Sequence, residues 1–392
     1  MDIFEKCQNY TQAKDAMKSG FYPYFIPLDE NEGTEVEFEG KRLIMCGSNN
    51  YLGLTTHPKV KEAALNAINR FGTSCTGSRF LNGTLAMHEQ LEHELAAFVG
   101  KEGALIFSTG MQVNLGTISA LVGRDDVVVL DKDDHASIVD GARLGYGKIE
   151  RFQHNNIAHL EKVLQSIPDK NGKLVVVDGV FSMGGDLANL EEIVPIAKKY
   201  KARIMVDDAH GMGVTGKGHG TSEEFGLTEE VDLIMSTFSK SFASLGGFIA
   251  GTHDVIHYIK HNARSLIFSA SIPAANTAAA LAALRIIIEE PERVARVNKI
   301  ADFVRQELRN MGFNVGESVT PIIPVIIGDD QKTFMMWKKL FENGVFVNPI
   351  ISPAVPPGLQ LLRTSYMATH TDEQMEKVLN VFKIVGKEFG II

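Results

Sequence analysis

Between residues 50 and 270, short apolar runs recur along the chain: ALIF (104–107), VVVL (127–130), LVVVD (174–178), RIMVD (203–207), DLIMS (232–236) and GFIAG (247–251). Their apolar residues are consecutive rather than alternate, which suits strands covered on both faces. The segments HEQLEHELAAFV and LEEIVPIAKKY instead space their apolar residues by three and four, as amphipathic helices do. This alternation predicts an α/β fold with a mostly parallel sheet between two helical layers. Functional groups in such a sheet collect just past the C-terminal ends of the strands. After about residue 290 the pattern changes. Two long amphipathic helices, PERVARVNKIADFVRQELRNMG and TDEQMEKVLNVFKIVGKEFG, flank a short β segment, PIIPVIIG. The expected organisation is an N-terminal segment, 1–45, packed with a smaller C-terminal α+β domain, 286–392, around a large domain, 46–285. The stretch VNPIISPAVPPG (347–358), with four prolines in twelve residues, predicts a loop.

Composition narrows the possibilities. With 392 residues and 44% hydrophobic content, the chain can bury a large core. A net charge of −9 without any basic block argues against a nucleic-acid partner. The three cysteines, Cys7, Cys46 and Cys75, have neither disulfide nor zinc spacing, so no metal is expected and a reducing cytoplasm is. The N-terminus, MDIFEKCQNYTQAKD, is charged throughout and lacks the apolar core of a secretion signal. No run reaches the roughly 20 apolar residues that span a bilayer. The nearest, 274–288, is interrupted by Arg285 and reads as a buried helix.

Several motifs could carry chemistry. Gly211, Gly213 and Gly216 form a literal G-x-G-x-x-G, but no helical periodicity follows, so a glycine-rich turn is expected rather than a nicotinamide site. The histidines of HEQLEH (88–93) are five apart, not the four that one-face zinc binding needs, and a solvated helix face is expected. Lys240 is different. It follows the run DLIMSTF amid small and hydroxyl residues, where lost solvation would lower its pKa and free the amine for a Schiff base. Asp207 ends the strand RIMVD, with His210 three residues on. A carboxylate there needs a partner, and a cationic ring nitrogen would serve. The segment IFSTGMQVNLGTISAL (106–121) reads as strand, turn and helix start, a ready cup for phosphate. His135 follows the strand VVVL and could stack on a ring. Lysine, aspartate and phosphate cup together are what pyridoxal 5′-phosphate requires.

The motifs GSNNYLGL (47–54), TGSRFLNGT (76–84), STGMQVN (108–114), DDHASIVDG (133–141), DGVFSMGGD (178–186), DDAHGMGVTG (207–216), TFSKSFASLGG (237–247), FSASIP (268–273) and LLRTSYMATHT (361–371) occur in order along the chain. With them the chain resembles the α-oxoamine synthases, pyridoxal-phosphate enzymes of fold type I that condense an amino acid with an acyl-CoA. The resemblance implies that Lys240 is the Schiff-base lysine and Asp207 the partner of the pyridine nitrogen. It implies that His210 and Ser182 lie near the ring's phenolic oxygen, and that Gly110, Met111 and Thr237 hold the phosphate. Ser269 and Ala270 match a segment that reaches the phosphate of a neighbouring subunit, implying a homodimer with shared sites. His135 resembles the stacking histidine, Arg363 the arginine for the substrate carboxylate, and Asn50 lies in a segment lining the substrate pocket. Family members pair serine, glycine or alanine with different thioesters. Here the segments GFYPYFIPLDENEGTEV and VNPIISPAVPPG are most similar to the soluble bacterial branch that joins L-serine to palmitoyl-CoA. Glycine or alanine with a shorter acyl-CoA is the alternative, and a non-catalytic subunit the remote one. A lipid product would invite peripheral contact with a membrane. The loop reads PAVPP where some members carry an arginine, which leaves open how the carboxylate is gripped on closure.

Overall fold

The computed structural model describes residues 2–392. The first strands, β1 (Glu30–Asn31), β2 (Glu35–Phe38) and β3 (Lys41–Met45), form a small sheet near the N-terminus. Seven strands follow: β4 (Gly103–Phe107), β5 (Val127–Asp131), β6 (Lys148–Phe152), β7 (Lys173–Asp178), β8 (Arg203–Asp207), β9 (Leu233–Thr237) and β10 (Gly247–Gly251). They make one sheet in the order β4-β10-β9-β8-β7-β5-β6. Only β10 runs against its neighbours, pairing antiparallel with both β4 and β9.

The consecutive apolar runs explain the burial. Along β5, Val127 and Val129 enter one core with Leu160, Leu164 and Ile193. Val128 and Leu130, on the opposite face, enter another with Val113, Ile118 and Ile138. Successive side chains of a strand point to opposite faces, so a strand sandwiched by helices must be apolar at every position. Strand β6 departs from that pattern. It lies at the sheet edge, its burial is largely partial, and its sequence KIERF reads as polar.

The C-terminal part adds β11 (Ile322–Ile326), β12 (Val345–Phe346), β13 (Asn348–Ile350) and β14 (Leu361–Ser365). Strands β11, β14 and β13 form an antiparallel sheet. Strand β12 pairs in parallel with β3, so both chain ends share a sheet. Ile44 and Cys46 enter the same core as Val304, Leu308, Trp337, Leu340, Leu362 and Phe382.

Two expectations need correction. The proline-rich stretch 347–358 is not all loop, because β13 lies within it and pairs with β14. Strand β13 is the sheet's edge, where a proline such as Pro349 costs no ladder hydrogen bond. The HEQLEH segment is a solvated face only in part: Glu89, Gln90 and His93 are exposed, but His88 and Glu92 are not. His88 is fully buried, taking the Leu85 N–H at Nδ1 and meeting the Ile272 carbonyl at Nε2. Glu92 is buried against Arg79 at 2.9 Å and also accepts the Ile106 N–H. Both polar groups tolerate burial because distant segments satisfy them.

Candidate active site

A cavity of about 250 Å³ opens beyond the C-terminal ends of the sheet. Five strands feed it. Past β4 the chain turns at Thr109 into the helix Gly110–Leu121, with the Thr109 hydroxyl accepting the Gln112 N–H. Past β5 comes His135, which opens the next helix. Asp178 and Asp207 end β7 and β8, paired side by side in register. Thr237 ends β9, and Lys240 follows in the turn toward β10. The Thr237 hydroxyl donates to the Gly246 carbonyl, which pins that turn.

Electrostatics follow from this crowding. Burial strips water from the Lys240 amine, and Arg363 also opposes its charge, while Asp207 and Asp178 favour it. The net result is a pKa lowered to about 8. The Asp207 carboxylate accepts from Asn114 Nδ2 at 2.7 Å and from the Ala209 N–H at 3.1 Å. Asp178 is pushed well up by burial and then by Asp207 beside it, so the pair resists holding two charges. His210 is driven well below its ordinary value by burial and by Lys240 and Arg363, and its Nδ1 meets the Tyr51 hydroxyl at 2.7 Å. Burial likewise lowers His135, against a pull from Asp207.

These groups fit pyridoxal 5′-phosphate. The N–H groups of Gly110 and Met111 lie in the first turn of a 12-residue helix and meet no acceptor among the described residues, an arrangement that receives phosphate. A side chain at Gly110 would put its Cβ 2.7 Å from Thr237 Oγ1, so glycine keeps this backbone bare. An amine of lowered pKa stands across from a carboxylate braced by two donors.

The cavity brings together Gly110, Met111, His135, Ser182, Asp207, His210, Thr237 and Lys240. Arg363 stands behind it: Nε donates to the Ser182 carbonyl at 2.6 Å and Nη2 to Asn49 Oδ1 at 3.0 Å. Asn50 stays outside the lining, its amide closing the Leu54–Thr55 turn. Ser269 and Ala270 also lie outside, held by Gln112 and Ser108 near the start of the Gly110 helix. Sequence reasoning missed Asn114, Tyr51 and Asp178. Asp178 sat at the end of LVVVD, the same signal that singled out Asp207. A larger cavity of about 610 Å³ lies at the opposite end of the strands. Its cations are already engaged: Lys101 by the Val231 carbonyl, Lys173 by Tyr200 and Arg203 by Asp232.

The chain belongs to the class I and II aminotransferase family, whose profile matches residues 41–382. Curated relatives narrow this further. Serine palmitoyltransferases from Sphingobacterium spiritivorum and Bacteroides thetaiotaomicron are 51% and 52% identical, covering 97% of this chain and 97% and 98% of theirs. A solved serine palmitoyltransferase carrying pyridoxal phosphate superposes with a TM-score of 0.97 at 38% identity, over 100% of both chains. An 8-amino-7-oxononanoate synthase from Thermoanaerobacter pseudethanolicus is 39% identical over 97% of this chain and 96% of its own length.

Proposed function

We propose that the chain is a pyridoxal-phosphate-dependent acyltransferase that condenses L-serine with palmitoyl-CoA, or another long-chain acyl-CoA. The products are 3-ketodihydrosphingosine, CoA and carbon dioxide, the opening reaction of sphingolipid synthesis. The reading rests on one observation: a full-length likeness to serine palmitoyltransferases coincides with a cavity where Lys240 and Asp207 face one space. The 8-amino-7-oxononanoate synthases stand at lower identity.

Bound pyridoxal phosphate supplies an electron sink conjugated to the Cα of the amino acid. Asp207 would balance the positive ring nitrogen, and the Gly110 and Met111 N–H groups, with Thr237, would hold the phosphate. Lys240 would hold the cofactor's carbonyl carbon, and its free amine would take the proton from Cα of serine. Arg363 would present a planar fork to the serine carboxylate, and His135 would cover the cofactor ring. His210 and Ser182 would serve as donors to its phenolic oxygen. A bond forms between Cα and the thioester carbonyl carbon while the C–S bond breaks and CoA leaves. The carboxylate departs as carbon dioxide, and a proton returns to Cα.

The active form is a homodimer in the cytoplasm. Phe80, Leu81 and Phe268 are 57%, 78% and 73% exposed, on loops joined by the Ser271 N–H to Gly77 carbonyl bond. Such an apolar patch suits a second copy, and it would carry Ser269 and Ala270 to the partner's phosphate. No helix among the described residues is long and apolar enough to cross a membrane, so contact with lipid would be peripheral. Measuring CoA release for serine, glycine and alanine, each with C2, C6 and C16 thioesters, tests the substrate assignment. Serine with the C16 thioester should dominate; a preference for glycine with the C2 thioester would overturn it.

A further inference from the structure

The helix Gly110–Leu121 buries two polar side chains that the reaction above does not use, Asn114 and Thr117, and the first of them reaches the site. Asn114 is completely buried. Its Nδ2 lies 2.7 Å from Asp207 Oδ2 and 2.8 Å from Ser137 Oγ. An amide nitrogen carries two hydrogens, and both neighbours are oxygens, so one hydrogen goes to each. The flipped amide would set its oxygen against the carboxylate with no hydrogen between them. Asn114 Oδ1 has no partner, so these two acceptors alone decide the orientation.

That polarity propagates. Ser137 Oγ accepts the Asn114 hydrogen on one lone pair and keeps its own hydrogen for His135 Nδ1, 2.7 Å away. The Ser137 backbone N–H points at the same nitrogen from 3.2 Å. A nitrogen that receives a backbone N–H carries no hydrogen, so the ring's hydrogen sits on Nε2. Other groups press on this ring. Asp178 takes the His135 backbone N–H, Asp207 favours a charged ring, Lys240 disfavours one, and His210 shares the cavity.

We propose that Asn114 and Ser137 are positioning residues that tie the Asp207 carboxylate to His135 and hold its ring as the neutral Nε2–H tautomer. The hydrogen on Nε2 is then presented to whatever fills the cavity that His135 lines. A cationic imidazole would compete with the ring nitrogen of the cofactor for Asp207; the relay prevents this by keeping donors aimed at Nδ1. The proposal rests on reading this cavity as the pyridoxal-phosphate site.

The decisive variant breaks the relay. Asn114→Asp is nearly isosteric but has no amide hydrogen for Ser137. Ser137 must then donate to it, which takes the hydroxyl hydrogen away from Nδ1. Holoenzyme labelled with ring-15N histidine, with His135→Gln to assign the signal, reports the tautomer directly. In the unaltered protein Nδ1 should resonate as a pyridine-like nitrogen that accepts two hydrogen bonds; in Asn114→Asp only the backbone N–H remains on it, and its signal should move toward a free pyridine-like nitrogen. Should that variant fail to fold, Ser137→Ala replaces it. Loss of the hydroxyl donor should move the Nδ1 signal further toward a free pyridine-like nitrogen. It should also lower kcat/KM for the amino acid by about fivefold to tenfold, the range for one lost hydrogen bond. A wild-type ring protonated at Nδ1, or variant signals identical to wild type, would overturn the proposal. Failure of pyridoxal phosphate to attach at Lys240 would instead sink the cavity reading, and spectra of the apoprotein would still decide the tautomer.

Discussion

An amine attacks a carbonyl only as the free base, so the pKa of Lys240 governs how fast the chain captures its cofactor. At an ordinary value of about 10.4, roughly one lysine in a thousand is neutral near pH 7.4. Burial brings Lys240 to about 8, which makes the free amine a common species at that pH. The rate of capture by apoprotein, followed by rapid-mixing absorbance, should rise with pH and level off above about 8. A rate still climbing past pH 10 would refute the lowered pKa. Borohydride reduction and peptide mapping should then find the cofactor on Lys240, with nothing attached in Lys240→Ala. Arg363 invites a different measurement. Its fork already holds the Ser182 carbonyl and Asn49 Oδ1, which fixes the plane offered to a carboxylate. Lysine keeps the charge but not the plane. Arg363→Lys should raise KM for serine about tenfold or more and change kcat less, since one to two charge-assisted hydrogen bonds are at stake. The reverse split would remove Arg363 from the carboxylate site.

The helix Gly110–Leu121 must be placed accurately for its first N–H groups to meet phosphate, and Gly116 sets how closely it packs. A Cβ at Gly116 would come within 2.4 Å of Ser265 Oγ and 2.9 Å of the Phe107 ring. Gly116→Ala should therefore push the helix off β4 and the Arg264–Ile267 segment, costing about 1–3 kcal/mol of stability. Cofactor affinity should fall in parallel, as equilibrium dialysis can measure; unchanged affinity and melting would show that the helix has slack. At this scale the sequence was legible where burial is two-sided. The runs that became β4, β5, β7, β8, β9 and β10 were readable because each is apolar throughout. Strand β6 escaped notice because KIERF at a sheet edge need not be apolar. His88 and Glu92 looked like surface residues because their partners, Ile272 and Arg79, are remote or carry no local pattern. The site residues at strand ends could be found by position. Asn114 could not, since a lone asparagine within an apolar helix gives no sign of which oxygens surround it.

Stability of the whole molecule should carry a pH signature from one histidine. His154 lies between Asp131, which ends β5, and Asp186, in the loop beyond Ser182, at 3.1 and 2.9 Å. Burial opposes its charge, but the two carboxylates prevail and raise its pKa from 6.5 to about 10. A raised value means that the charged ring favours the fold. Its contribution is complete below about pH 6.5 and disappears as pH climbs through about 10. The difference in melting temperature between wild type and His154→Leu should be widest in acid and close toward pH 10; a gap independent of pH would exclude the charged pair. Association is the other global property. If the proposed homodimer forms through the Phe268 patch, Phe268→Asp should leave a monomer in light scattering and, if the partner supplies Ser269 and Ala270, weaken cofactor retention as well. A dimer that survives the change would place the contact elsewhere.

The antiparallel placement of β10 between β4 and β9 reaches back to the ribosome. Strand β4 has no other neighbour in the sheet, so GALIF emerges early yet lacks a ladder partner until Gly247–Gly251 has been made. At elongation speeds of about 5–20 residues per second that interval is roughly seven to thirty seconds. Throughout it the nascent chain displays an unpaired apolar strand, a span in which a chaperone that binds exposed apolar segments would find a ready client and a stalled ribosome would leave a sticky fragment.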